Sequence, residues 1–338
     1  MTKFLNFWMT PWPKSFNFPN GRPPAFSWFH WIWISLAIIT LLILVFISKK
    51  PKESFIHKVY LSAFIILIVF EIIKQIAALG DIDPKTKQWK FQYRTGNFPA
   101  VLCSLFYYVA PFYIFFPKRF IKTREVTLSW LTTYNLWCGS FVLLYFPNNV
   151  LVDEIIYSNH SMFHHLVLFV LGAWGAIRNF PKFSYKIFLY SAVIFTGIYI
   201  LGTLGNEALY HAWKNNKLIT NGNELPVIFT VSHRERSSFQ NVTKGIVGEI
   251  KNNALFAFYY YLFTVVAVSL HYSIFAGLGF GIRYVENQIL KLVTKIKNKK
   301  TNSEILEQNS TLNFYSNKIT YVYGTRWMRM NHYSNKKK

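Results

Sequence analysis

Residues 28–48 read WFHWIWISLAIITLLILVFIS, a stretch without a formal charge, and Lys49, Lys50 and Lys52 follow at once. A run this long and apolar matches the ~20 residues a helix needs to cross a hydrocarbon core. Similar runs recur at about 56–80, 98–117, 125–147, 160–178, 184–205 and 254–281, most with aromatic or basic ends. Hydrocarbon offers the backbone no hydrogen-bond partner, so each run must satisfy its own peptide groups. These lengths suit helices better than ~10-residue barrel strands. The pattern predicts an all-α polytopic membrane protein, a bundle of seven transmembrane helices over residues 28–281.

Composition agrees. Of 338 residues, 52% are hydrophobic, 19% aromatic and only 15% charged. Thirty-seven Lys and Arg against fourteen Asp and Glu give +23, a balance that in a soluble protein would indicate nucleic acid. Here the cations flank apolar segments, which argues against nucleic acid and names membrane lipids as partners, with anionic head groups at the basic tail. Cys103 and Cys138 lie in separate apolar segments and form no CxxC pair, so they build neither a disulfide framework nor a zinc knuckle. Residues 1–27 show no charged n-region followed by a short apolar core and a small-residue cleavage site, so they do not read as a removed signal and are expected to remain as an extracellular segment.

Loop charge sets the expected orientation. Lys49, Lys50, Lys52 and Lys58 follow the first run, Lys118, Arg119, Lys122 and Arg124 the third, and Arg178, Lys182 and Lys186 the fifth. From Arg283 onward the tail carries twelve Lys and Arg against Glu286, Glu304 and Glu307, whereas residues 148–159 carry none. By the positive-inside rule the amino terminus is outside, the carboxyl terminus is cytoplasmic, and the protein is multi-pass in the cell membrane. Loop 81–97 opposes this with Lys85, Lys87, Lys90 and Arg94, partly offset by Asp81 and Asp83.

The long connection 206–253 contains the apolar stretch 225–231 and is expected to cap the outer face. The tail is taken as 282–338. Within it Val285, Ile289, Leu292, Val293 and Ile296 share one helical face, which fits either an amphipathic helix on the inner leaflet or a continuation of the seventh run. The Asn- and Lys-rich remainder reads as flexible. No internal repeat appears, which argues against an inverted-repeat transporter.

In this topology the first, third and fifth runs start outside, and the second and sixth end there. Cys103 and His165 then sit ~7–8 Å along their helices, at one depth. His30 lies in the first turn of the first run and Asn206 at the end of the sixth, in the same layer. Glu71, Lys74 and Gln75 occupy one face at i, i+3 and i+4, where they can satisfy each other while pointing inward. Ionisable groups inside spans are expensive to insert and mark functional sites.

A thiolate beside an imidazole can accept an acyl group as a thioester and pass it to a hydroxyl or to water. Cys103 is therefore the candidate nucleophile and a histidine of the fifth run the candidate base. Neighbouring helical residues point about 100° apart, so only one of His164 and His165 can face Cys103. Depth selects His165. His30, Glu71, His164 and Asn206 are the supporting or substrate-binding candidates.

Blander readings stand beside these. Cys138 reads as a small buried hydrophobe, His160 as a solvated helix-end residue and His30 as an interfacial residue beside Trp28, Trp31 and Trp33. His160 and His164 could place two imidazoles on one metal, but two ligands make no site, so neither metal nor organic cofactor is required. Gly277, Gly279 and Gly281, like Gly172 and Gly175, read as close helix packing, and Tyr259–Tyr261 as an interfacial belt.

Several short motifs carry a family likeness: His30 entering the first run, Pro99-Ala100-Val101-Leu102-Cys103-Ser104 opening the third, Phe163-His164-His165-Leu166-Val167-Leu168 in the fifth, and Leu201-Gly202-Thr203-Leu204-Gly205-Asn206 ending the sixth. Together they resemble the YwaF-type bacterial integral membrane proteins and the related eukaryotic transmembrane protein 164 family, over roughly residues 28–280. The resemblance implies acyl transfer or acyl-ester hydrolysis on lipids, with Cys103 as nucleophile. The alternative is a non-catalytic lipid-binding or membrane-organising protein. Small-molecule transport ranks last, because the inner half offers little beyond Asn135 and His271.

Overall fold

The computed structural model describes residues 11–82, 89–91, 99, 102–180, 185–215, 245 and 253–334. Among them run seven helices of ten residues or more. They are α1 (Trp28–Ile47), α2 (Glu53–Ala78), α3 (Leu105–Ile114), α4 (Ile121–Ser140), α5 (Ile155–Arg178), α6 (Tyr185–Lys214) and α7 (Asn253–Ser334). Two three-residue strands, β1 (Gly80–Ile82) and β2 (Trp89–Phe91), pair antiparallel within the expected 81–97 loop region. The chain divides into two compact units, Met1–Phe280 and Gly281–Lys338.

Five of these helices are long and apolar enough to cross a membrane: α1, α2, α5, α6 from Leu189 and α7 over Leu255–Asn309. The chain is thus an all-helical membrane protein apart from the small hairpin. The other two expected spans do not qualify on their own. Helix α3 has ten residues, about 15 Å of rise. It starts after a 3-10 turn at Leu102–Ser104 and gives way before Pro117. Helix α4 is long enough but polar, with Thr127, Ser129, Thr132, Thr133, Asn135 and Ser140 all buried.

Position explains that polarity. The most extensive helix pairing joins α4 to α5, and α3, α6 and the turn Phe141–Tyr145 also pack on α4. A helix sheathed by protein need not present an apolar surface to lipid. Its hydroxyls return to their own helix: Thr127 donates to Thr123 O, Thr132 to Leu128 O and Ser140 to Leu136 O. Close approach is secured by glycines. A Cβ at Gly139 would meet the Phe169 backbone, and one at Gly172 the Leu136 backbone. Gly279 likewise packs against Ile177, whereas a Cβ at Gly277 or Gly281 would meet nothing within 4 Å among the described residues.

Helix ends follow local chemistry. Helix α5 stops at Asn179, whose left-handed backbone lets its N–H reach Ala176 O and Gly175 O, with Pro181 two residues on. Helix α4 passes into a π-helical turn, Phe141–Tyr145, that ends before Pro147. Helix α6 continues to Lys214, so the first residues of the expected 206–253 loop are helical. Residues 216–244 and 246–252, with the expected outer cap, lie outside the described residues. Helix α7 runs unbroken through 285–296. The amino-terminal segment folds back: Trp12 Nε1 donates to Val152 O at 3.1 Å, and Pro11 bridges to Glu154.

Candidate functional site

The starts of α1, α3 and α5 and the end of α2 meet at one end of the first unit, here the His30 end. Ala77 of α2 packs with Ile156 and Tyr157 of α5, and His30 reaches the π-helical turn that closes α4. Two turns deeper, α2 turns Glu71 inward. Glu71 is 6% exposed, yet its carboxylate is fully surrounded. Lys74 Nζ and Gln75 Nε2 each lie 2.7 Å from Oε1. Oε2 faces Tyr107 Oη at 3.4 Å and His160 Nε2 at 3.1 Å. The His160 contact is in ion-pair range but is not aligned as a hydrogen bond. The mutual pairing of Glu71, Lys74 and Gln75 is the i, i+3, i+4 geometry, extended by side chains of two further helices.

Tyr107 connects this group to the candidate base. Its Oη lies 2.9 Å from Nδ1 of His164, and the rings meet edge to face with centroids 5.1 Å apart. The other ring nitrogen, Nε2, donates to the main-chain carbonyl of Cys103 at 3.1 Å. A carbonyl only accepts, so Nε2 carries a proton in this arrangement and neutral His164 accepts the Tyr107 hydroxyl proton at Nδ1. A chain of contacts therefore runs Glu71, Tyr107, His164, Cys103 across α2, α3 and α5, in which the single Tyr107 proton goes to His164 and the 3.4 Å approach of Oη to Glu71 Oε2 carries none. The sequence expectation chose His165, whose Nδ1 bonds Ser161 O on its own helix at 2.7 Å; among the described residues the bond to the Cys103 main chain comes from His164. Both rings are almost wholly buried.

Cys103 itself lies in the 3-10 turn that opens α3 and is partly exposed. Among the described residues no hydrogen bond joins its sulfur to either imidazole, so the thiol and the base are adjacent by residue and not yet paired by atom. His30 stands apart. It is fully buried, its Nδ1 accepts the Phe26 N–H at 3.0 Å and its Nε2 donates to Leu143 O at 2.8 Å. Both nitrogens serve main-chain groups, one of them a carbonyl inside the π-helical turn. Asn206 is buried on α6. His160, expected as a solvated helix end, is buried against Glu71. Among the described residues no three metal-binding side chains come together.

Tyr107 is the participant that sequence reasoning passed over. In an aromatic-rich span it resembles a belt residue, and the only signal is its i+4 spacing from Cys103, which places both on one helical face.

No family model, no curated protein and no solved structure matches this chain.

Proposed function

We propose that this chain crosses the membrane seven times, with the amino terminus outside, and acts on membrane lipids as an acyltransferase or acyl-ester hydrolase through Cys103 and His164. Seven crossings need α3 and α4 to span inside a protein sheath, where a short or polar helix is tolerated. The path from Glu71 through Tyr107 to His164 and the Cys103 main chain supports the catalytic reading. It has the logic of an acid-oriented base beside a nucleophile.

In the working tautomer the proton sits on Nδ1 and is donated to Tyr107 Oη, whose own proton turns to Glu71 Oε2. Nε2 then presents its lone pair to the Cys103 thiol in place of the carbonyl. The thiol proton passes to Nε2, the sulfur attacks the lipid ester carbonyl, and the released alkoxide takes the proton back from His164. The resulting thioester is resolved by water or by a second hydroxyl, which His164 deprotonates. The family likeness at Leu102-Cys103 and Phe163-His164-His165 supports the same reaction class.

A second reading, a non-catalytic lipid-binding protein, is favoured by one observation: both nitrogens of His164 are already engaged and the sulfur bonds to neither ring. An acyl-electrophile probe on the full chain in nanodiscs separates the two. Labelling of wild type but not of Cys103→Ala or His164→Ala supports the enzyme; equal labelling of all three supports the binding protein.

A further inference from the structure

The second unit, residues 281–338, presents a face that nothing described covers. Val285, Ile289, Leu292, Val293 and Ile296 are each more than half exposed, and they fall on one stripe of the α7 helix. Lys291 and Lys295 lie on the other side of that helix, and Arg283, Lys297, Lys299 and Lys300 complete six cations against Glu286 alone between 283 and 300. We propose that this face docks on an anionic lipid surface, α7 bending ahead of Val285 when it does, with the apolar stripe in the acyl boundary and the lysines among the head groups.

Charge decides the occupant. The spacing 285, 289, 292, 296 would also suit a zipper with a second copy, each step alternating four and three. In a parallel pair, however, Lys295 of one copy would face Lys300 of the other, and Lys299 would occupy the next seam position. Like charges at flanking positions oppose that pairing. A surface of opposite sign meets the same lysines favourably, and the stripe gains burial there that a purely polar partner could not give it.

The test uses the full chain in nanodiscs, with Cys103→Ser, Cys138→Ser and one new labelled cysteine at Ile289→Cys, Leu292→Cys or Asn298→Cys. The discs contain phosphatidylcholine alone or mixed with phosphatidylglycerol. The expected result is that fluorophores at 289 and 292 become shielded from iodide only in anionic discs, while the one at 298 stays quenchable in both. Adding Lys291→Glu, Lys295→Glu and Lys297→Glu should abolish the contrast, each lost cation lowering the docked-to-free ratio about fivefold. Quenching unchanged by lipid charge overturns the proposal. Shielding that follows the number of chains per disc would overturn it in favour of a second copy.

Discussion

At the His30 end of the first unit, buried polar side chains of α2, α3 and α5 contact one another. At the opposite end, where α1 and α3 finish, three cationic or imidazole side chains donate to main-chain carbonyls. There Arg178 donates to Val45 O, His57 to Ile114 O and Arg124 to Phe116 O. Those carbonyls belong to the last turns of α1 and α3, or lie just beyond them, where a helix leaves its C=O groups without partners and favours nearby positive charge. Trp174 adds a bond to Ser48, which itself caps α1. Both buried arginines at that end, Arg124 and Arg178, serve carbonyls at or just past helix ends. The Glu71 group has no helix end to cap, yet it buries an ion pair, two imidazoles and a phenol in a setting that makes such groups expensive. That contrast sets a site apart from a set of caps.

The largest effect should come from Glu71→Ala, which leaves Lys74 buried without its carboxylate. Removing one partner of a buried pair costs ~3–5 kcal/mol, readable as a lower unfolding midpoint in detergent. Glu71→Ala with Lys74→Ala should recover much of that loss. If the double variant is as damaged as the single, the pair is not a unit and the contrast loses its basis.

Next comes Arg124→Met at the other end, which removes a charged donor from Phe116 O and from Glu53. It should cost ~1.5–3 kcal/mol and leave acylation of Cys103 unchanged in the surviving folded fraction. A fall in acylation there would break the division between caps and site. Tyr107→Phe should lower stability by only ~1 kcal/mol but slow acylation about a hundredfold, the range of a general base that has lost its orienting partner. Smallest of all is His165→Asn, which removes a ring whose hydrogen bonding among the described residues is to its own helix. A turnover assay on that variant should match wild type.

Much of the fold is written in the apolar runs, because lipid-facing helices have to be apolar. Of the two segments that fail the same criterion, α4 is polar because protein encloses it, whereas α3 is apolar and fails on its ten-residue length. The inward face of Glu71, Lys74 and Gln75 was legible because helical spacing alone fixes it. Which histidine bonds the Cys103 main chain was not. Depth along a helix ranks His165 with Cys103, but the direction a ring takes depends on how α5 is rotated against α3, and periodicity does not encode that. Nor could the sequence reveal that His30 holds a π-helical carbonyl, since the π turn appears only in the packed chain.

The most direct trial is a mass measurement of acyl-thioester on Cys103 after incubation with a phospholipid bearing an alkyne-tagged acyl chain, comparing His164→Asn with His165→Asn. A hydroxylamine-sensitive adduct that is retained in His165→Asn and lost in His164→Asn is the predicted result. An adduct that survives in His164→Asn and vanishes in His165→Asn, or one that never forms on wild-type Cys103, would contradict the account.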